Sequence, residues 1–429
     1  MSRNTDFVPF ARPSLGPEEE SAVLEVLRSG WLTTGKVAKA FEEEFASFVG
    51  ARRALAVNSA TSGLHLALEA LGVGQGDLVA TSPYTFVSTA SVARHLGAEV
   101  AFCDIAAEDY GIDPGRLEAL LAKEPRIKAV IAIHVGGKPC RMRELLEICG
   151  RRGLPLVEDA AHAFPSRVPA ALLPEGASRG REAAFAGTLG AIGVYSFYAT
   201  KTITTGEGGM VVTEDEALAK RMATMRSHGF DRDAFDRYTS KTASWYYEVA
   251  EAGFKYNLPD LLAAIGREQL KKADRFLAER EEIARRYDEA FAPFAADGAA
   301  SASGQAADRG AAPAGKARPA EALFELPPRG LGHSWHLYSL RLRGPLSGLR
   351  NEFFERLQAK GIGASVHFIP LHIMPYFAKR YGLEPGDFPE AFSKYSRTIS
   401  LPIWQGMDEA QVERTAEAVL ETAGELKAR

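Results

Sequence analysis

Lys201 is the only long cation in SFYATKTITTGEGG (196–209), set among small and hydroxyl residues with no carboxylate before Glu207. A lysine amine that is partly desolvated can act as a Schiff-base nucleophile. Ala199, Thr200, Thr202 and Gly206 leave room for a bulky partner. A solvated loop lysine is the plainer alternative. Upstream, LPLVEDAAHAF (154–164) ends an apolar run on two acids. A carboxylate at the C-terminal end of a strand faces the ligand crevice of an open α/β sheet. Asp159 and His162 share a face if the chain turns helical there, although a helix cap with a satisfied histidine fits the same residues. NSATSGLHLALEAL (58–71) leads from hydroxyl and small residues into an amphipathic helix. Free backbone N–H groups there, with Ser59, Thr61 and Ser62, suit a phosphate, or they simply cap the helix. In SPYTFVSTASVARHLG (82–97), Phe86 follows an apparent strand end, where it either stacks on a flat ring or packs in the core.

Combined, these parts fit a pyridoxal phosphate site. Lys201 would carry the aldehyde, Asp159 would pair with the pyridine nitrogen, and Phe86 would lie against the ring. The helix end at 59–63 and Ser196 would take the phosphate. An Asp beside a pyridinium favours its charged form by ~1–3 pKa units. The protonated ring is then the electron sink for a carbanion.

These residues need a scaffold, and the chain supplies one. AVIAIHV (129–135), LPLVEDA (154–160), VYSFY (194–198) and GMVVT (209–213) read as strands, and RMRELLEICGRRG (141–153) reads as a helix closed by Gly153. Strands alternating with helices predict an α/β fold with a mostly parallel central sheet covered on both faces. The stretch 165–187 reads as irregular. From Pro259 one long helix is expected to run on to about residue 292. Residues 293–322 are rich in Ala, Gly, Ser and Pro and predict a surface insertion without a core. The expected organisation is a large domain over 1–258, a connecting helix over 259–292, the insertion over 293–322 and a smaller C-terminal α+β domain over 323–429. The last of these ends on a helix at 408–426.

Composition narrows the function classes. A length of 429 residues allows two or three domains, and 46% hydrophobic with 25% charged residues is ordinary for a globular protein. The net charge of −4 favours neither nucleic acid nor an anionic membrane. Cys103, Cys140 and Cys149 form no CxxC, so reduced structural thiols, no metal and a cytoplasmic location are expected. The opening MSRNTDFVPFARPS has no apolar core of a signal peptide. GTLGAIG (187–193) and GVGQG (72–76) lack the spacing and context of a dinucleotide fingerprint.

The sequence resembles the DegT/DnrJ/EryC1/StrS aminotransferases, a nucleotide-sugar branch of the fold-type I (aspartate-aminotransferase-like) pyridoxal phosphate enzymes. The resemblance is carried by GWLTTGKVAKAFEEEFASFVGA (30–51), NSATSGLHLAL, PYTFVSTA, VEDAAHAF, SFYATKTITTGEGG, RSHG (226–229), GFKYNLPDLLAAIGREQL (253–270) and VHFIPLH (366–372), in that order. It implies Lys201 as the cofactor lysine, Asp159 as the pyridine-nitrogen partner and His162 beside the phenolic oxygen. It implies Ser196, Thr61 and Ser62 at the phosphate and Phe86 over the ring. Lys255 and Asn257 would reach the partner subunit's phosphate, in a homodimer with shared sites. His367, Phe368 and His372 are candidate substrate contacts. The implied reaction passes an amine from L-glutamate, through pyridoxamine phosphate, to a keto group on a nucleotide-linked sugar. The product would be an amino-deoxy sugar nucleotide for polysaccharide, glycan or antibiotic assembly. The lysine, where related dehydratases carry histidine, favours transamination. A sugar dehydratase, an aminohydroxybenzoate-type synthase and a non-catalytic sensor are the competing readings. The chain departs from the family in reading GFKYN for GFNYR and in placing Pro165 where glycine is usual. Its insertions at 165–187 and 293–322 lengthen two loops, the first near enough to bear on substrate access.

Overall fold

The structure, a computed structural model, describes residues 7–230, 247–296, 322–330 and 332–428. The first strands in chain order are β1 (Arg53–Val57), β2 (Leu78–Thr81), β3 (Glu99–Phe102), β4 (Ile127–Ile133) and β5 (Leu156–Asp159). A short pair follows, β6 (Arg167–Pro169) and β7 (Ala183–Phe185), and then β8 (Ile192–Ser196) and β9 (Gly209–Thr213). Seven of them form one sheet in the order β1-β9-β8-β5-β4-β2-β3. The run from β8 to β3 is parallel, and β9 lies antiparallel between β8 and β1. Central parallel strands are covered on both faces, which is why LVAT, LVED and IGVYS are buried throughout.

Side chains alternate across each strand, and the cores follow that alternation. Val157, Val194 and Val211 join a core under the helices Ala60–Ala70 and Ser88–His95. Tyr195, Met210 and Val212 enter a second core with Phe41, Phe45 and Phe276, and Leu156 enters a third with Leu145. By the same period, Asp159 and Ser196 project towards the first core's side, and Glu158 projects to the other. The helix Met142–Arg152 ends on Gly153 with φ 62°, a left-handed conformation that suits glycine.

The smaller body holds β10 (Phe324–Glu325), β11 (Tyr338–Leu342) and β12 (Thr398–Leu401) in one antiparallel sheet. Tyr287 and Phe291 from the helix Ala273–Phe291, Phe353 from Arg350–Ala359 and Val419 from Glu409–Lys427 fill its core.

Three features differ from the sequence expectation. The stretch after Pro259 is two helices, Asp260–Lys271 and Ala273–Phe291. They divide at Lys272, whose N–H bonds Gln269 O at 3.0 Å and whose ammonium is held by Glu18 and Glu19. Within 165–187 the chain is ordered by the β6–β7 pair, with the Arg167 guanidinium 4.6 Å from the centre of the Phe185 ring. Val8, from the segment assigned to the large domain, bridges to Ile362 and packs in the C-terminal core. Of the expected insertion, residues 297–321 lie outside the described residues. Among the described residues no helix is long and apolar enough to cross a membrane.

Candidate active site

The carboxyl ends of β4, β5 and β8 and the N-terminus of the helix Ala60–Ala70 border a cavity of about 380 Å³. This is where ligands sit in open α/β sheets. Lys201, Asp159, His162, Ser196, Thr61 and Phe86 all line it, and His367 and Phe368 close it from the C-terminal side. Residues far apart in sequence therefore meet around one space.

Asp159 ends β5 and is buried. Its Oδ2 accepts the Thr89 hydroxyl at 2.8 Å and its Oδ1 accepts the Ala161 N–H at 3.2 Å. No cation bonds it among the described residues. Burial therefore pushes its pKa up, against those two hydrogen bonds and the attraction of Lys201. Lys201 follows β8, with its N–H bonded to Tyr198 O at 2.9 Å. The residue is partly accessible through the cavity, but protein surrounds its amine. Desolvation lowers its pKa to about 7, opposed by Asp159 and assisted by Arg280. Acid and amine thus face one cavity, each short of a partner that would stabilise its charge.

His162 accepts the Gly136 N–H at Nδ1, 3.2 Å away. That bond puts the ring proton on Nε2, and burial keeps the ring neutral by pushing its pKa well below the ordinary value. The ring stacks on Phe368, with centroids 5.4 Å apart and planes at 22°. Phe86 is 59% exposed, an unusual state for a phenyl group, and leaves a ring free for a ligand to cover. His367 bonds the Ser400 hydroxyl through Nδ1 at 3.0 Å and stacks on Phe10 at 5.3 Å.

The start of the helix Ala60–Ala70 forms one wall. Ser59 is its N-cap and accepts the Ser62 N–H at 3.1 Å. Thr61 is exposed to the cavity beside Ser59 and Ala60. Gly209 lets β9 pass close behind, since a Cβ there would lie 2.8 Å from the Ala60 nitrogen.

Two residues expected at the site, Ser62 and His372, lie outside the cavity, and the two expected at a partner's site do not line this one. Ser62 is buried and does not line the cavity; its hydroxyl donates to Asn58 Oδ1 at 2.6 Å, in the turn that precedes the helix. His372 is wholly buried beside Phe388, with 5.0 Å between ring centroids, and does not reach the cavity. Its turn is pinned to the large domain through Leu371 N–H to Pro83 O at 2.8 Å, which directs the ring inward. Lys255 is exposed and Asn257 donates to Thr34 Oγ1 at 2.5 Å; neither lines this chain's cavity. No residue of 165–187 lines it either.

The structure also adds residues that sequence reasoning passed over. His336 lines the cavity, with its ring centroid 4.3 Å from that of His162 and its buried Nδ1 without a hydrogen-bond partner among the described residues. Phe10, Tyr198 and Glu207 line it too. Thr89 was visible in PYTFVSTA as a hydroxyl one helical turn beyond Thr85, but nothing local marked His336 in WHLYS.

The residues present fit pyridoxal phosphate. The buried acid without a cation suits a pyridinium N–H. The free amine suits an aldehyde, the exposed phenyl suits a flat ring, and the helix start suits a phosphate.

Comparison with known proteins agrees. The chain is 40% identical over 428 residues to the spore coat polysaccharide biosynthesis protein SpsC of Bacillus subtilis, with 98% of each chain covered. It superposes on PseC of Helicobacter pylori, an aminotransferase involved in the biosynthesis of pseudoaminic acid. The TM-score is 0.81 at 29% identity, over 98% of this chain and 100% of that one. The putative sugar aminotransferase Spr1654 of Streptococcus pneumoniae, solved in its pyridoxamine phosphate form, gives a TM-score of 0.82 at 25% identity, over 98% and 100% of the two chains. Pyridoxal phosphate is the cofactor of this group, and the fold is that of fold type I. A profile of the DegT/DnrJ/EryC1/StrS aminotransferase family matches residues 13–420, and the chain belongs to that family.

Proposed function

We propose that this protein moves an amino group from an amino-acid donor, read as L-glutamate, to a keto group on a nucleotide-linked sugar. The observation that carries this reading is the pairing of Lys201, whose pKa is lowered to about 7, with a cation-free Asp159 across one cavity. When bound, pyridoxal phosphate supplies the electron sink for the proton shift. Asp159 keeps its ring nitrogen protonated, and Thr89 and the Ala161 N–H hold that carboxylate in place. His162, fixed as the Nε2–H tautomer, offers a donor to the phenolic oxygen. Ser196, Thr61 and the N–H groups at the helix start hold the phosphate, and Phe86 covers the ring. With its amine free, Lys201 would take a proton from the donor carbon as a neutral amine and return it elsewhere as an ammonium. His367 and Phe368 lie on the substrate side.

The printed roles of SpsC and PseC support an amino-sugar product for a polysaccharide or glycan. We read Lys255 and Asn257 as reaching the partner's phosphate in a homodimer, in the cytoplasm.

The test is a panel of UDP-, GDP- and dTDP-linked 4-keto and 3-keto sugars, given with glutamate to the pyridoxal phosphate-supplemented protein. Mass spectrometry should find one aminated sugar nucleotide together with 2-oxoglutarate. Turnover without glutamate would mark a dehydratase instead and overturn the reading.

A further inference from the structure

Arg280 is 1% exposed, in the middle of the helix Ala273–Phe291. Burying a guanidinium is costly unless a carboxylate or equivalent compensates it. Here every hydrogen-bond acceptor is neutral. Nε bonds Gln405 Oε1 at 3.1 Å, and Nη1 bonds Trp335 O at 3.0 Å, Ile403 O at 3.0 Å and His336 O at 3.4 Å. No carboxylate pairs with Arg280 among the described residues. Glu279, the neighbouring acid, binds the Gly406 N–H and pairs with Arg275.

The cation is also fastened to the cavity. Gln405 turns its amide to Thr202 O at 3.1 Å, so a hydrogen-bonded chain runs from Arg280 through Gln405 to the residue after Lys201. On its other side the guanidinium bonds the backbone of His336, which lines the same cavity. A methionine in this place would serve packing at no desolvation cost, so packing alone does not explain a charge.

We propose that Arg280 is a positioning residue whose buried charge, held by Gln405 and by the backbone of His336, adds to the effect of burial in favouring the neutral Lys201 amine whenever it is not covalently engaged. The inference rests on Lys201 being the reacting amine. The other titratable groups that line the cavity with Lys201 are Asp159, His162, His336, His367, Tyr198 and Glu207. The three histidines are neutral near pH 7, because burial lowers each of them. Asp159, which favours the ammonium, is the group Arg280 opposes.

The test is competitive acetylation of the purified, cofactor-free protein across pH, reading Lys201 by peptide mass spectrometry. The wild-type amine should titrate near pH 7. Arg280→Met should raise that midpoint, and Arg280→Lys should keep it. Arg280→Gln retains donors for the neutral acceptors and replaces Arg280→Met if the latter fails to fold. A wild-type midpoint above about 9, or a folded neutral variant that leaves it in place, would overturn the proposal. So would Arg280→Lys shifting it as far as the neutral variants, since the frame rather than the charge would then be responsible. These readings need no cofactor. A failure of borohydride to fix the cofactor on Lys201 would instead count against the aminotransferase reading.

Discussion

Glu158 and Asp159 are consecutive acids on β5, and the two sides of that strand treat them oppositely. Glu158 is wholly buried and fully engaged. It accepts the N–H groups of Gly187 at 2.7 Å and of Leu189 and Gly190 at 2.6 Å each, and it pairs with His134 Nε2 at 2.9 Å. Asp159 has two hydrogen bonds and faces a cavity. One acid fastens a loop under the sheet. The other is left short of a cation where a ligand can provide one. The comparison shows that a satisfied buried charge marks structure and an unsatisfied one at a cavity marks function.

The largest way to test this contrast is at the group that faces Asp159. Lys201→Ala should lower turnover by ~10³-fold or more and abolish a borohydride-fixed cofactor adduct, with the thermal midpoint little changed. The two acids should then separate cleanly. Asp159→Asn should cut turnover by ~10²–10³-fold without loss of stability, because it relieves a buried carboxyl. Glu158→Gln should do the reverse, costing about 2–4 kcal/mol in denaturant unfolding because an amide nitrogen replaces an acceptor of several donors. Similar stability losses in both variants would break the comparison.

A pH series sharpens it further. The unfolded chain holds the Lys201 proton up to about 10.5 and the folded chain only up to about 7. The unfolded state therefore binds more protons between those values, and stability of the cofactor-free protein should rise with pH across that window. Lys201→Met should flatten the rise. The smallest effect concerns the two neighbouring hydroxyls at the helix start. Ser62→Ala should cost about 1 kcal/mol of stability and leave cofactor affinity unchanged. Thr61→Val should weaken cofactor binding, measured by absorbance titration, and leave stability alone.

Much of the site was legible in the sequence because its residues lie at strand ends and helix starts, which local patterns mark. Lys201, Asp159, Ser196 and Phe86 each follow an apolar run, and all four line the cavity. Ser62 looks equivalent to the adjacent Thr61 in the sequence until the helical turn commits its hydroxyl to Asn58. His372 was misplaced because HFIPLH carries no sign that Leu371 is tied to Pro83. His336 and Arg280 were missed because their role depends on what packs beside them, and their neighbours come from other parts of the chain.

The sequence by itself determined that strands alternate with helices, that consecutive residues such as Glu158 and Asp159 on a strand point to opposite faces, and which residue types are available for chemistry. Those follow from short-range geometry, since side-chain direction repeats within a few residues. Only the tertiary structure decided which acid found partners, which hydroxyl faced the cavity and how far the Lys201 amine was stripped of water. Desolvation and partnering are sums over atoms drawn from the whole chain, and no local stretch contains them.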